Sequence, residues 1–76
     1  MKDLVEYLAK ALVDDPAAVD VKLVEGEKSL LLELRVNKSD MGKVIGKQGR
    51  IAQALRTIVK AAAIKDGKKV MLEIIE

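Results

Sequence analysis

The chain of 76 residues has no cysteine and no histidine. Without cysteine there are no disulfides and no thiolate chemistry, and a reducing compartment suits the chain. Without histidine it lacks the commonest general base and the commonest ligand for transition metals. Aromatic residues are almost as scarce, Tyr7 being the only one. The core must therefore come from Leu, Ile, Val, Ala and Met, and an RNA reader that stacks bases on exposed rings is disfavoured. The longest unbroken apolar runs, such as Ala61 to Ile64, span four residues, against the roughly 20 that a membrane helix needs. Met1 to Glu6 carries Asp3 and Glu6 where a signal peptide would want a basic start and an apolar run. A soluble, cytoplasmic protein with no membrane association is expected. The hydroxyls of Ser29, Ser39, Thr57 and Tyr7 have no imidazole to activate them. No enzyme, no metal site and no cofactor is expected.

What is present describes a folded globule. Half of the residues are apolar and 34% are charged, a balance unlike that of a disordered tail. The length leaves room for one small domain, residues 1–76. The formal net charge of +2 conceals an uneven distribution. Residues 1–37 carry a net −3 and residues 61–76 are balanced, whereas residues 38–60 carry +5, with Asp40 the single acid among six bases. A basic central third in a nearly neutral chain is the footprint of a polyanion-binding face, or more plainly of a solvated helix surface.

Hydrophobic periodicity gives the element order. Leu4, Leu8, Ala11 and Leu12 form one helical stripe, which Pro16 ends after Asp14 and Asp15. Val19, Val21 and Leu23 alternate with polar residues as a first strand. Leu30, Leu32, Leu34 and Val36 form a second, after a tight connection at Glu25 to Lys28. Asn37 to Asp40 is turn chemistry with a helix N-cap at Ser39 or Asp40. A short helix over Met41 to Ile45 is interrupted by Gly46-Lys47-Gln48-Gly49, and a longer helix runs from Arg50 to about Ile64 or Lys65. Its expected inner face is Ile51, Leu55, Ile58, Val59 and Ala62. Asp66-Gly67 makes the exit turn to a last strand of Val70, Leu72 and Ile74. The predicted fold is α+β, order α-β-β-α-α-β, with three helices on one face of a three-stranded sheet.

The feature that carries specific chemistry is Val44-Ile45-Gly46-Lys47-Gln48-Gly49-Arg50-Ile51. Two glycines three apart allow backbone angles closed to side chains and let another chain come close to the main chain. The loop opens the longer helix, where unpaired amides and the helix dipole favour anions. Lys47, Arg50 and, one turn earlier, Lys43 add full positive charges. Gln48 can donate a hydrogen bond without adding charge. A P-loop is excluded by spacing: Gly42 and Gly46 have three residues between them rather than four before the Gly-Lys pair, and Gln48 stands where Ser or Thr would hold magnesium. A dinucleotide fingerprint fails too, because these glycines follow a helix and are wrongly spaced. A helix-turn-helix reading for duplex DNA has Arg50, Gln53, Arg56 and Lys60 in its favour. Against it stands a first helix too short to brace a partner.

The same residues resemble the signature loop of KH domains, which clamps about four nucleotides of single-stranded RNA or DNA. The element order looks like the prokaryotic type II arrangement, and a chain of this length is similar to the small single-KH proteins of the KhpA family. Many KH domains have an aliphatic residue three places after the second glycine. Here that place is Ala52, and Ile51 fills the role one place earlier. The resemblance implies nucleic-acid-binding residues at Gly46, Lys47, Gln48, Gly49, Arg50, Lys43 and Ile45. It places bases in an apolar groove between the central helices and the second strand, floored by Ile45 or alternatively by Val44 or Ile51. It implies single-stranded RNA as the ligand, an RNA-chaperone or post-transcriptional role tied to cell elongation and envelope homeostasis, a homodimer, and a complex with a larger, KhpB-like KH protein. A candidate dimer interface is Ala61, Ala62 and Ile64, and Leu31, Met71 and Ile75 offer a second apolar surface. The competing reading is an interaction adaptor that keeps a KH-like shape.

Overall fold

The computed structural model describes residues 1–75. Helix α1 (Lys2–Leu12) leads through a 3-10 turn at Pro16–Ala18 into strands β1 (Asp20–Glu25) and β2 (Ser29–Arg35). A 3-10 turn at Lys38–Asp40 opens α2 (Met41–Ile45), and a further one at Lys47–Gly49 opens α3 (Arg50–Lys65), which returns to β3 (Lys69–Ile75). The order is the predicted α-β-β-α-α-β.

The strands lie in the order β1-β2-β3, with β1 antiparallel and β3 parallel to β2. Antiparallel neighbours need only the short turn closed by the Gly26 amide on the Ser29 carbonyl at 2.8 Å. Parallel neighbours need a long crossover, which α2 and α3 supply. The two registers line up rows across all three strands. Val21, Leu34 and Ile74 form one row of the covered face, and Leu23, Leu32 and Leu72 the next. Leu30, Leu32, Leu34 and Val36 are all buried, as their alternation requires. The opposite face carries the rows Lys22–Glu33–Glu73 and Val24–Leu31–Met71, with no helix over them.

Two helical faces are rotated from their sequence reading. The buried line of α1 is Val5 and Ala9, with Leu8 and Leu12 packed beside it, and Ala11 faces solvent. The buried line of α3 is Ala52, Leu55, Val59 and Ala63, while Ile58 is exposed and Ile51 and Ala62 are half-buried. The pattern is the same in both. Alanine and valine hold most of each buried line, with Leu55 the exception. The exit turn is as expected: Gly67 and Lys68 donate back to the Ile64 and Ala63 carbonyls, the paired bonds of a Schellman end.

Candidate nucleic-acid interface

Helix α2 ends at Gly46, whose amide closes on the Gly42 carbonyl at 2.8 Å. Gly46 has φ 76° and ψ 175°, a backbone region that is essentially reserved for glycine. Space is closed there as well, because a Cβ on Gly46 would come within 2.6 Å of Ile51 Cγ1. Gln48 follows in the left-handed region at φ 57°, and Gly49 at φ 74°. The Gly49 amide reaches the Gly46 carbonyl at 3.2 Å and the Arg50 amide that of Lys47. Among the described residues, the Lys47 and Gln48 amides find no main-chain acceptor. No side chain caps the start of the 16-residue α3. Successive left-handed residues at a helix start aim amides into one concavity, a geometry suited to anions.

The predicted residues divide into three sets. Lys47, Gln48 and Arg50 are exposed, and neither cation forms an ion pair among the described residues. Ile45, 36% exposed, keeps its place beside the loop. Val44 is fully buried in the core, so it cannot floor a groove, and Ile51 packs beneath Gly46.

Lys43 is differently occupied. Its Nζ lies 2.9 Å from Asp14 Oδ2 and 3.7 Å from Asp40 Oδ1. The hydrogen bond and charge of Asp14, with Asp40 adding to them, hold the Lys43 ammonium above the ordinary lysine value. Asp40 is itself buried and accepts the amides of Asp14 at 3.3 Å and Asp15 at 3.1 Å. One carboxylate thus fastens the end of the α1 connection to the start of α2.

The sequence reading sets the base groove against the second strand. β2 is central, with both edges paired, and has no free main chain to offer. β1 and β3 are the edge strands. Lys69 donates to Lys28 and Ile75 accepts from Val36, so the odd-numbered residues of β3 face β2 and Val70, Leu72 and Ile74 turn their amides and carbonyls outward. A cleft of about 200 Å³ follows this edge, lined by Arg56, Val59 and Lys60 of α3 and by Val70, Met71 and Leu72. Arg56 Nε reaches across it to the Leu72 carbonyl at 3.4 Å. The sequence signal for Arg56 was its place on the polar side of α3. That it would meet a strand edge depended on topology.

The dimer candidates also take their places. Ile64 is 74% exposed, Ala61 is exposed and Ala62 is half-buried. A wide hollow of about 860 Å³ is lined by Ile64 and Lys60 together with Val24, Leu31 and Met71, so Ile64 shares it with two residues of the other candidate surface.

The model of the family described as KhpA/KhpB, KH domain, matches residues 2–74. The chain belongs to the KhpA/KhpB KH-domain family. Members named RNA-binding protein KhpA include that of Clostridium perfringens, 67% identical over 75 residues, with 99% of this chain and 100% of the relative covered. Another, from Aquifex aeolicus, is 58% identical over 76 residues, with 100% and 96% covered. In three dimensions the chain is similar to part of Era, in a crystal structure of Era with MgGDPNP and nucleotides 1506–1542 of 16S ribosomal RNA. The TM-score is 0.65 at 22% identity, over 96% of this chain and 28% of the Era chain. That likeness establishes the KH-like fold of this KhpA/KhpB family member.

Proposed function

We propose that the chain is a single-stranded RNA-binding module that clamps the sugar-phosphate backbone at Gly46-Lys47-Gln48-Gly49. The observation that carries this reading is the loop itself: left-handed backbone and, among the described residues, two unaccepted amides and unpaired Lys47 and Arg50 at the uncapped start of α3. Its relatives carry the name RNA-binding protein, which supports RNA as the ligand. Ile45 and the cleft between α3 and the β3 edge take the bases, where the outward main chain of Val70 and Leu72 offers donors and acceptors and Arg56 adds a movable cation.

So few cationic contacts give weak, salt-sensitive binding, with a slope of about −0.7 per phosphate neutralised on a logarithmic plot. Pairing two modules raises avidity by about 10²–10⁴-fold, which gives a homodimer through Ala61, Ala62 and Ile64 a physical purpose. The family resemblance adds a larger, KhpB-like partner, an RNA-chaperone or post-transcriptional role linked to cell elongation and envelope homeostasis, and a cytoplasmic setting. A second reading, an adaptor acting through protein contacts, draws on the hollow around Ile64 and Met71.

The test is Lys47→Asp with Gln48→Asp, which puts two negative charges where phosphate would lie. RNA binding is lost while helicity and melting temperature stay unchanged. Retained RNA affinity would overturn the loop assignment and favour the adaptor.

A further inference from the structure

Lys43 is the one basic side chain at the foot of the loop that already holds a partner. The partner is held in an unusual way. Asp40 binds the Asp14 amide, which fixes the Asp14 main chain beside α2, and the Asp14 carboxylate, 79% exposed, then lies over Lys43 Nζ. The carboxylate thus has no part in the bond that fastens its own backbone. It occupies one ammonium three residues before Gly46, whereas Lys47 and Arg50 form no ion pair among the described residues. Asp14 and Lys43 are 29 places apart in the chain, and the buried Asp40 contacts both.

We infer that Asp14 is an intramolecular competitor of the RNA phosphate for Lys43, so that the Asp14–Lys43 bridge restrains the affinity of the loop and must open for Lys43 to join the clamp. This rests on the reading of Gly46 to Gly49 as the phosphate-binding loop. An exposed ion pair is easily exchanged: solvent screens it, and pairs of this kind shift an equilibrium constant by no more than roughly 5-fold. A phosphate that displaces Asp14 therefore has a small barrier to overcome. The restraint is a modest setting of affinity and not an on–off gate.

The experiment is a titration of the full chain with a short, labelled, mixed-sequence single-stranded RNA across a range of salt concentrations. Four proteins are compared: wild type, Asp14→Asn, Lys43→Met and the double variant. Asp14→Asn keeps the amide that Asp40 binds, so its melting temperature should stay close to wild type. Its RNA affinity should rise about two- to five-fold. Its logarithmic salt slope should steepen by about 0.7, the signature of one more cation engaged, which a merely structural change would not produce. In the Lys43→Met background, Asp14→Asn should have no effect. Unchanged affinity on Asp14→Asn overturns the inference. Equal tightening with and without Lys43 overturns it too, since Asp14 would then act only as a distant repelling charge. Failure of the loop reading is separate: it appears as RNA binding that survives Lys47→Asp with Gln48→Asp.

Discussion

The side chain of Ile51 lies directly over the α-carbon of Gly46, with Cγ1, Cβ and Cδ1 all within 2.9 Å of where a Cβ would stand. The first residue pair of the loop is thus a lock between the end of α2 and the first turn of α3. Ile51 fills the space that a side chain at Gly46 would need, and Gly46 supplies the turn that brings Ile51 there.

The two loop glycines should therefore respond differently to alanine. Gly46→Ala meets a glycine-only backbone region, costing about 1–3 kcal/mol, and in addition displaces Ile51. Gly49 has nothing within 4 Å of its would-be Cβ, so Gly49→Ala carries only the left-handed penalty of about 1–2 kcal/mol. Urea unfolding of both variants measures the difference. Equal losses would mean that Ile51 yields without cost.

Among the described residues, Gln48 is the one non-glycine residue with positive φ. Gln48→Gly removes the left-handed penalty of about 1–2 kcal/mol and adds the backbone entropy of glycine, about 0.5–1 kcal/mol. The melting temperature should hold or rise slightly. Gln48→Val, β-branched in the same conformation, should lower it. The order Gly, Gln, Val in thermal melts is the outcome to check.

Local pattern was enough for much of this fold. The alternation of Leu30, Leu32, Leu34 and Val36 gave a strand with one buried face, and glycines bounded α2 and α3 where the sequence placed them. Three things needed the third dimension. Which of Ile51, Ala52, Ala62 and Ala63 faces inward depends on how close α3 approaches the sheet, and period alone does not report that distance. That β2 is central, with β1 and β3 at the edges, depends on strand order, which alternation does not report. The engagement of Lys43 depends on Asp14 and Asp40. Asp40 lies only three places away, but Asp14 is remote in sequence, and no spacing rule connects it to Lys43.

Asp40 should matter more to stability than any other carboxylate in the described residues, because it alone is buried. Asp40→Ala leaves the Asp14 and Asp15 amides without their acceptor, and each unsatisfied donor costs about 1–3 kcal/mol where water cannot reach it. The part-buried setting puts the total toward the low end. Asp40→Asn keeps one acceptor oxygen and should fall between alanine and wild type. Hydrogen exchange at those two amides would report the loss locally, ahead of any global change.

The pH profile of stability follows from two ion pairs. Lys10 holds Glu6 below the ordinary carboxylate value, through its hydrogen bond first and its charge second. A depressed carboxylate contributes stability above its unfolded pKa and loses it as pH falls through the folded one, so this pair weakens in acid. Lys43 is raised by Asp14, and a raised lysine contributes below its unfolded pKa and loses the contribution as pH rises through the folded one. With no histidine in the chain, melting temperatures should be flat through neutrality, with small declines at both extremes. Asp14→Asn should flatten the alkaline side, and a transition near neutral pH would contradict the assignment.

Ile64 offers the cleanest test of the proposed dimer seam. It is 74% exposed, so Ile64→Glu places a charge on the surface without entering the core. Ala62 is half-buried, and a glutamate there would confuse a lost interface with a damaged fold. If the seam runs along Ala61, Ala62 and Ile64, Ile64→Glu should shift sedimentation toward the monomer and leave the melting transition of a dilute sample in place. RNA affinity should fall with it, because the avidity of paired loops would be gone while each loop stays intact. A variant that remains dimeric moves the seam away from α3. Met71→Glu, at 64% exposure on the far side of the same hollow, would then decide whether the open sheet face holds the partner instead.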